Sequence, residues 1–171
     1  QFPERPFPTT GEVAIAETMA NVGTVSGGLK GTTPVHVVEW EPWVIEQYNI
    51  THGTNFTAAD IADDGTLAAL KASNAEHYHA SPVCKNVSKA NFRAQISDND
   101  WAIARAVARD IREVQPPSIT IENVPGYRGT LLYKEIIDSL EDSGYIWDEL
   151  ITDVADWGGV SIQKKIIYSR N

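Results

Sequence analysis

Strand-like and helix-like segments alternate along this chain from residue 12 onward, and this alternation restricts its possible folds more than any other feature. The pattern is typical of an α/β domain with a mostly parallel sheet. We expect a seven-stranded sheet whose last strand is antiparallel. The predicted strands are 12–18, 35–39, 56–59, 76–80, 118–121, 145–154 and 162–169.

Helix-starting and helix-ending residues lie between these strands. Pro42 suits the first position of a helix, and Asp98 is a predicted N-cap. Gly144 is the expected C′ residue of an amphipathic segment. The predicted helices are 42–52, 64–73, 98–114 and 131–143.

Length and composition limit the class of protein. A chain of 171 residues is expected to form one domain, here residues 11–171, preceded by a proline-rich extended arm over 1–10. The single cysteine excludes an internal disulfide, and no apolar run reaches the length of a membrane-spanning helix, which favours an intracellular protein. A formal charge of −9 argues against strong unaided binding to nucleic acid.

The single cysteine, Cys84, follows a predicted strand and the turn Ser81-Pro82. Ligands of open α/β sheets bind at the carboxyl ends of the strands, so this turn aims the thiol at a cleft. The alternative is that Cys84 is a small buried apolar residue.

Acidic residues follow the first three predicted strands: Glu17, Glu39 and Asp60. A carboxylate at the end of the second strand is how nucleoside-binding α/β domains hold ribose hydroxyls. Trp40, beside Glu39, offers a face for an adenine ring. The alternative is that each acid is a solvated strand end.

Five features together resemble those of cytosine-5 DNA methyltransferases, in the right order over residues 12–170. One of them is Trp40-Glu41-Pro42-Trp43, which follows an acid. Residues 81–91 are similar to the nucleophile loop of that family, and Glu122-Asn123-Val124-Pro125 resembles its Glu-Asn-Val motif. Residues 17–24 are similar to its cofactor motif, and 155–167 to the late motif that ends in Gln-Xaa-Arg-Xaa-Arg.

The resemblance implies a Rossmann-like fold that uses S-adenosylmethionine and methylates carbon 5 of cytosine in DNA. The thiolate of Cys84 would add to carbon 6, and Glu122 would hydrogen-bond ring nitrogen 3 and the exocyclic amine. Asn123 would brace the loop. Lys165 is the residue implied at a late-motif arginine. The residues implied at the S-adenosylmethionine site are Glu17, Met19, Ala20, Val22, Gly23, Glu39, Trp40, Asp60, Ile61 and Pro82.

The motifs depart from the family pattern at several positions. Asn21 and Thr24 replace glycines of the cofactor motif, and Met19 replaces a phenylalanine. Val83 and Lys85 replace the proline and glutamine beside the nucleophile. In the late motif Ser161, Gln163 and Lys165 stand at the positions of Gln, Arg and Arg, and lysine does not reproduce the bidentate fork of arginine.

The target-recognition region of that family has no counterpart before Asn171. Three explanations stay open: one subunit of a split enzyme whose second subunit carries target recognition, a fragment of a longer protein, or a non-catalytic binding or regulatory relative. An unrelated nucleotide-binding α/β domain is a weaker alternative. His77 and His79 share a strand face, but a zinc site would need further ligands, so they are interpreted as ordinary strand histidines.

Overall fold

A computed structural model describes residues 12–21, 27, 31–87 and 95–153, together with the backbone of 164–170. The strands are β1 Val13–Thr18, β2 Thr32–Val38, β3 His77–Ala80, β4 Ser118–Asn123, β5 Trp147–Asp153 and β6 Lys164–Arg170. The helices are α1 Pro42–His52, α2 Asp64–Ala72, α3 Asp98–Val114 and α4 Leu131–Asp142, with a 3₁₀ turn at Pro125–Tyr127.

The described strands form one six-stranded sheet in the order β2-β1-β3-β4-β6-β5. β1 pairs in parallel with β2 and β3, and β3 pairs in parallel with β4. β6 is antiparallel to both β4 and β5, which confirms the predicted antiparallel last strand. Because β2 and β3 lie on opposite sides of β1, the strand order reverses there, and the crevice beyond the β1 and β3 ends is where such folds bind ligands.

The seven-strand prediction is not confirmed, because the residues of the predicted third strand, 56–59, lie in an irregular segment. The side chain of Asn49, on α1, takes both backbone groups of Phe56: Oδ1 accepts from Phe56 N at 2.9 Å and Nδ2 donates to Phe56 O at 2.8 Å. Ala59 N donates to the Glu39 carbonyl at 2.9 Å. The segment therefore meets its hydrogen-bonding needs locally rather than through a strand neighbour.

The ends of several elements also differ from the predictions, and two of them are instructive. β2 begins at Thr32 and contains Pro34, which is tolerated because β2 is the edge of the described sheet. α3 begins with a capping box in which the Ser97 side chain accepts from Asp100 N, so Ser97 is the N-cap rather than Asp98. α1 has the predicted bounds and ends at Gly53, whose positive φ of 65° suits glycine.

The two faces of the sheet are packed differently. Alternate residues of the central strands, such as Ala16, Tyr78 and Ile119, point into the main core together with apolar side chains of α2, α3 and α4. A smaller cluster contains Val37 and the α1 residue Tyr48. The residues of β3 and β4 that alternate with the main-core positions are polar, and they lead to the candidate site.

Candidate active site

The loop that carries Cys84 begins at the end of β3 and is anchored to the neighbouring strand. Ser81 N donates to the Thr18 carbonyl of β1 at 3.3 Å, and Pro82 is buried. A turn follows in which Val87 N donates to the Cys84 carbonyl at 3.1 Å. Cys84 is a free, partly exposed thiol. A fixed turn with an accessible thiol suits a nucleophile better than a core residue.

Asn123 ties this loop to the end of β4. Its side chain is 3% exposed, and its Nδ2 donates to the carbonyl of Pro82 at 3.0 Å. Its Oδ1 accepts from Val124 N at 2.8 Å. Further on, a Cβ at Gly126 would collide with the carbonyl oxygen of Val87, so the Gly126 backbone lies directly against the loop. The segments after β3 and β4 are therefore packed together.

Glu122 lies at the end of β4, beside the loop that carries Cys84. The hydroxyl of Ser81 donates to Glu122 Oε2 at 3.4 Å. Because β3 and β4 are adjacent and parallel, their ends meet at one edge of the sheet. The structure thus brings Ser81–Cys84, Glu122 and Asn123 to the same edge.

A row of polar side chains runs toward Glu122 along one face of β3 and β4. The pairs His77–Ser118 and His79–Thr120 are in register across the two strands. At the start of the row, His77 Nδ1 lies 2.8 Å from Ser118 Oγ. We call this row the β3–β4 polar ladder; its members are Ser118, His77, Thr120, His79, Ser81 and Glu122.

Every further step of the β3–β4 polar ladder is a hydrogen bond. The Thr120 hydroxyl lies 2.9 Å from His77 Nε2 and 2.8 Å from His79 Nδ1. His79 Nε2 lies 2.9 Å from Ser81 Oγ, which donates to Glu122. Burial, and then the neighbouring His77, lower the pKa of His79 to about 4. Burial also lowers the pKa of His77, so both imidazoles are neutral at pH 7.

Sequence reasoning did not find this row. The signal was present as two alternating polar sets, 77/79/81 and 118/120/122. Only the register of β3 against β4 shows that the two sets face each other. Among the residues that the structure describes, no group of three or more His, Cys, Asp or Glu side chains is arranged to hold a metal ion.

The predicted nucleoside-binding residues meet at the end of β2. Glu39 directly follows the strand; its Oε2 accepts from Asn21 N at 3.0 Å and its Oε1 from Glu41 N at 3.2 Å. Trp40, the next residue, is 71% exposed. The exposed Asp60 accepts from Ala62 N at 2.9 Å, and the hydrogen bond from Ala59 to the Glu39 carbonyl holds its segment at this corner.

The predicted site residues at the end of β1 differ from one another in burial and in backbone conformation. Glu17 lies within β1 rather than after it, is 0% exposed, and accepts from the Tyr48 hydroxyl at 2.9 Å, so it presents no surface to a ligand in this conformation. Met19 and Asn21 have positive φ values of 54° and 52°. Ala20 is buried between them, and its N–H donates to the Val38 carbonyl at 3.2 Å.

The remaining predicted site residues are either buried or lie outside the described part of the chain. Ile61 and Pro82 are buried. Val22 and Gly23 lie outside the described residues. The side chain of Lys165 also lies outside them, although its backbone, in β6, pairs with Thr152 of β5. The predicted arm over 1–10 also lies outside them. The described helices include none that is long and apolar enough to cross a membrane.

This sheet, with its antiparallel last strand, has the α/β methyltransferase fold. The comparison with protein families is more specific. The model of the C-5 cytosine-specific DNA methylase family matches residues 13–164. The chain therefore belongs to that family, as its motifs indicated.

Several characterised proteins are similar to this chain over part of their length. The type II methyltransferase M1.BsuMI of Bacillus subtilis is 32% identical over 81 residues, which are 46% of this chain and 19% of the relative. The Dnmt2 methyltransferase of S. pombe has a TM-score of 0.78 at 19% identity, over 92% of this chain and 49% of its own.

A second structural match has the same pattern. The Entamoeba histolytica methyltransferase EhMeth has a TM-score of 0.77 at 18% identity, over 94% of this chain and 53% of its own. The chain thus spans about half the length of the solved structures that it matches. These structural matches establish the fold.

Proposed function

We propose that this chain transfers a methyl group from S-adenosylmethionine to carbon 5 of cytosine in DNA, as the catalytic part of a larger enzyme. The observation that supports this most is the hydrogen bond from Asn123 Nδ2 to the Pro82 carbonyl. It joins the loop of Cys84 to the strand end that carries Glu122. The proposed nucleophile and the proposed charge-stabilising carboxyl are thereby held at one edge, as methylation of this base would require.

Cys84 is the proposed nucleophile, because a thiolate adds readily to carbon 6 of the pyrimidine and the new C–S bond shifts electrons to carbon 5. In its protonated form Glu122 would donate to nitrogen 3 and accept from the exocyclic amine, stabilising the charge that develops on the ring. S-adenosylmethionine, when bound, supplies the methyl group that carbon 5 accepts. Transfer of the carbon-5 proton to a water molecule then allows the C–S bond to break, which restores the thiolate and the aromatic ring. The base must leave the stack for Cys84 to reach its face.

The end of β2 fits the adenosine part of S-adenosylmethionine by the chemistry of its side chains. Glu39 and Asp60 are carboxylates that accept from hydroxyl and amino groups, and Trp40 presents an exposed indole between them in the chain. Glu39 would hold the ribose hydroxyls, Trp40 the adenine ring and Asp60 the adenine amino group. Met19 and Ala20, with Val22 and Gly23, are proposed for the methionine end, whereas the buried Glu17 would act only by holding α1 through Tyr48.

DNA is the proposed substrate, and its binding is expected to need a second protein segment. The formal charge of −9 disfavours phosphate contacts across the whole surface, and the chain spans about half the length of its structural relatives. We propose that the further contacts come from additional sequence or from a partner chain that carries target recognition. The late-motif lysine, Lys165, is a candidate for a phosphate contact from this chain.

A mechanism-based trap tests the proposed reaction. DNA that carries 5-fluorocytosine has no proton to lose from carbon 5, so the C–S bond should persist when S-adenosylmethionine is supplied to the chain together with the further sequence or partner chain that carries target recognition. We expect a covalent adduct that mass spectrometry maps to Cys84, the single cysteine. Cys84→Ser should form none.

The carboxyl group is tested in the same assay. Glu122→Gln should slow adduct formation by about 100-fold, since general acid–base groups contribute roughly 10²–10⁴ in rate. Glu135→Gln, on the surface of α4, is the matched control and should react like the wild type. Cofactor binding by calorimetry without any adduct would indicate a non-catalytic binding module instead, and unchanged activity of Glu122→Gln would exclude the proposed chemistry.

A further inference from the structure

The β3–β4 polar ladder has a hydrogen-bond direction that its chemistry determines. A carboxylate can only accept, so the single hydroxyl proton of Ser81 is used in the bond to Glu122. The Ser81 oxygen must then accept from His79, whose Nε2 lies 2.9 Å away. His79 therefore carries its proton on Nε2.

The same rule extends the direction away from the site. A neutral imidazole with a proton on Nε2 has an acceptor at Nδ1, so the Thr120 hydroxyl donates to His79. The Thr120 oxygen then accepts from His77 Nε2 at 2.9 Å. His77 is left with Nδ1 as its acceptor, facing the Ser118 hydroxyl.

Ser118 is the point at which the direction could reverse, because its hydroxyl also lies 3.1 Å from the carbonyl of Glu76. A single proton serves only one of these acceptors well. The shorter distance, 2.8 Å, is to His77 Nδ1. All five steps can then donate toward Glu122, so no hydroxyl of the row has to donate in two directions.

We infer that Thr120, His79 and Ser81 act as a positioning device for the proposed methyl transfer: they hold the Ser81 hydroxyl as a donor that orients the Glu122 carboxylate before a base enters. The inference deepens the proposed function and rests on it for the role of Glu122. The low pKa of His79 agrees with a neutral ring. The bond from Ser81 to Glu122, at 3.4 Å, is the longest of the row, and bonds of this kind commonly shorten when substrate is bound.

The direction is measurable without any turnover. Long-range ¹H–¹⁵N correlation spectra of the histidine rings distinguish the two neutral tautomers and the cation. We expect both His77 and His79 to be neutral with the proton on Nε2 at pH 7. A proton on Nδ1 of His79, or a charged ring, would overturn the inference whether or not the chain is active.

The positioning role is tested through the rate of adduct formation with 5-fluorocytosine DNA. His79→Leu removes the donor to Ser81, and we expect about tenfold slower adduct formation, within the range that misplacement of a catalytic group causes. His79→Gln keeps an N–H₂ donor at the position of Nε2 and should stay within about threefold of wild type, since it restores the hydrogen bond. Cofactor affinity should not change in either variant. His36→Leu, a buried strand histidine outside the ladder, is the matched control.

Ser81→Ala provides a second route if His79→Leu does not fold, because Ser81 is only partly buried. It should slow adduct formation as much as His79→Leu. Equal rates in wild type, His79→Leu and Ser81→Ala would overturn the positioning role. A His79→Gln variant as slow as His79→Leu would also overturn it, because the imidazole ring itself, and not the hydrogen bond, would then be required. If the wild type forms no adduct, the proposed function fails, while the tautomer spectra still decide the direction of the ladder.

Discussion

Asn123 shows how much of the candidate site depends on one buried amide. Its donor and its acceptor are both used, one on the Pro82 carbonyl and one on Val124 N. A buried amide in this position is a structural crosslink between the loop after β3 and the segment after β4. The family motif that contains Asn123 indicated its importance from the sequence, although not which carbonyl it would contact.

Replacing Asn123 tests this crosslink. Asn123→Ala leaves the Pro82 carbonyl and the Val124 N–H without their partner, and we expect the free energy of unfolding to fall by about 1–3 kcal/mol. Urea denaturation measures the change. Asn123→Asp keeps the acceptor for Val124 but loses the donor to Pro82, so its stability should be reduced while its adduct formation is slowed as in Asn123→Ala. Wild-type stability in both variants would show that the amide is not a crosslink.

At the scale of elements, the alternation of strands and helices predicted most of the fold because each helix carries its own end signals. α1 was predicted with its observed bounds, and α3 needed only a shift of its N-cap to Ser97, since serine and the carboxylate of Asp100 form a reciprocal pair. The predicted strand at 56–59 was wrong because an α1 side chain, Asn49, competes for its backbone groups. Sequence patterns do not reveal a competitor that belongs to another element.

The candidate site, like the fold, was predictable from the sequence only in part. Cys84, Glu122 and Asn123 lie within short motifs, so their grouping followed from the order of the strands. The role of His79 did not follow, because a histidine in a strand acquires its partners only from the register of the neighbouring strand. Glu17 was expected at the cofactor, yet the hydroxyl of Tyr48 holds it in the interior.

The contact of the 3₁₀ turn with the loop that carries Cys84 gives a prediction at this scale. A Cβ at Gly126 would collide with the Val87 carbonyl oxygen, so Gly126→Ala must push the loop or the turn aside. We expect a loss of about 1–3 kcal/mol in the free energy of unfolding and slower adduct formation at Cys84. Gly129→Ala is the matched control, since no described atom outside its chain neighbours lies within 4 Å of the position that its Cβ would take. Identical stability of the two variants would contradict the close packing.

For the whole molecule, buried titratable groups set the response to acid. Burial lowers the pKa of His36 from 6.5 to about 4, and His36 Nε2 has no hydrogen-bond partner in the described structure. Between about pH 4 and pH 6.5 the unfolded chain binds a proton at His36 more strongly than the folded chain does, so the free energy of unfolding rises with pH. Asp110 acts in the opposite sense: burial raises its pKa to about 6, so its contribution to stability is lost as pH rises through that value.

A comparison of His36→Leu with wild type isolates one of these contributions. Acidification from pH 6.5 to 4 should cost the wild type about 3 kcal/mol through His36, following roughly 1.36 kcal/mol per pKa unit. The variant should lack this part of the loss, so that its free energy of unfolding falls less steeply with acid. Chemical denaturation at several pH values between about 4 and 7 measures both slopes. Parallel curves would show that His36 is not buried as a neutral ring.

The single, partly exposed thiol also makes the chain its own spectroscopic reporter. A maleimide dye has one thiol to attach to, so no competing cysteine has to be engineered away before labelling. Because the dye would sit on the loop that Asn123 fastens, its emission should report directly on anything that enters or rearranges that edge of the sheet.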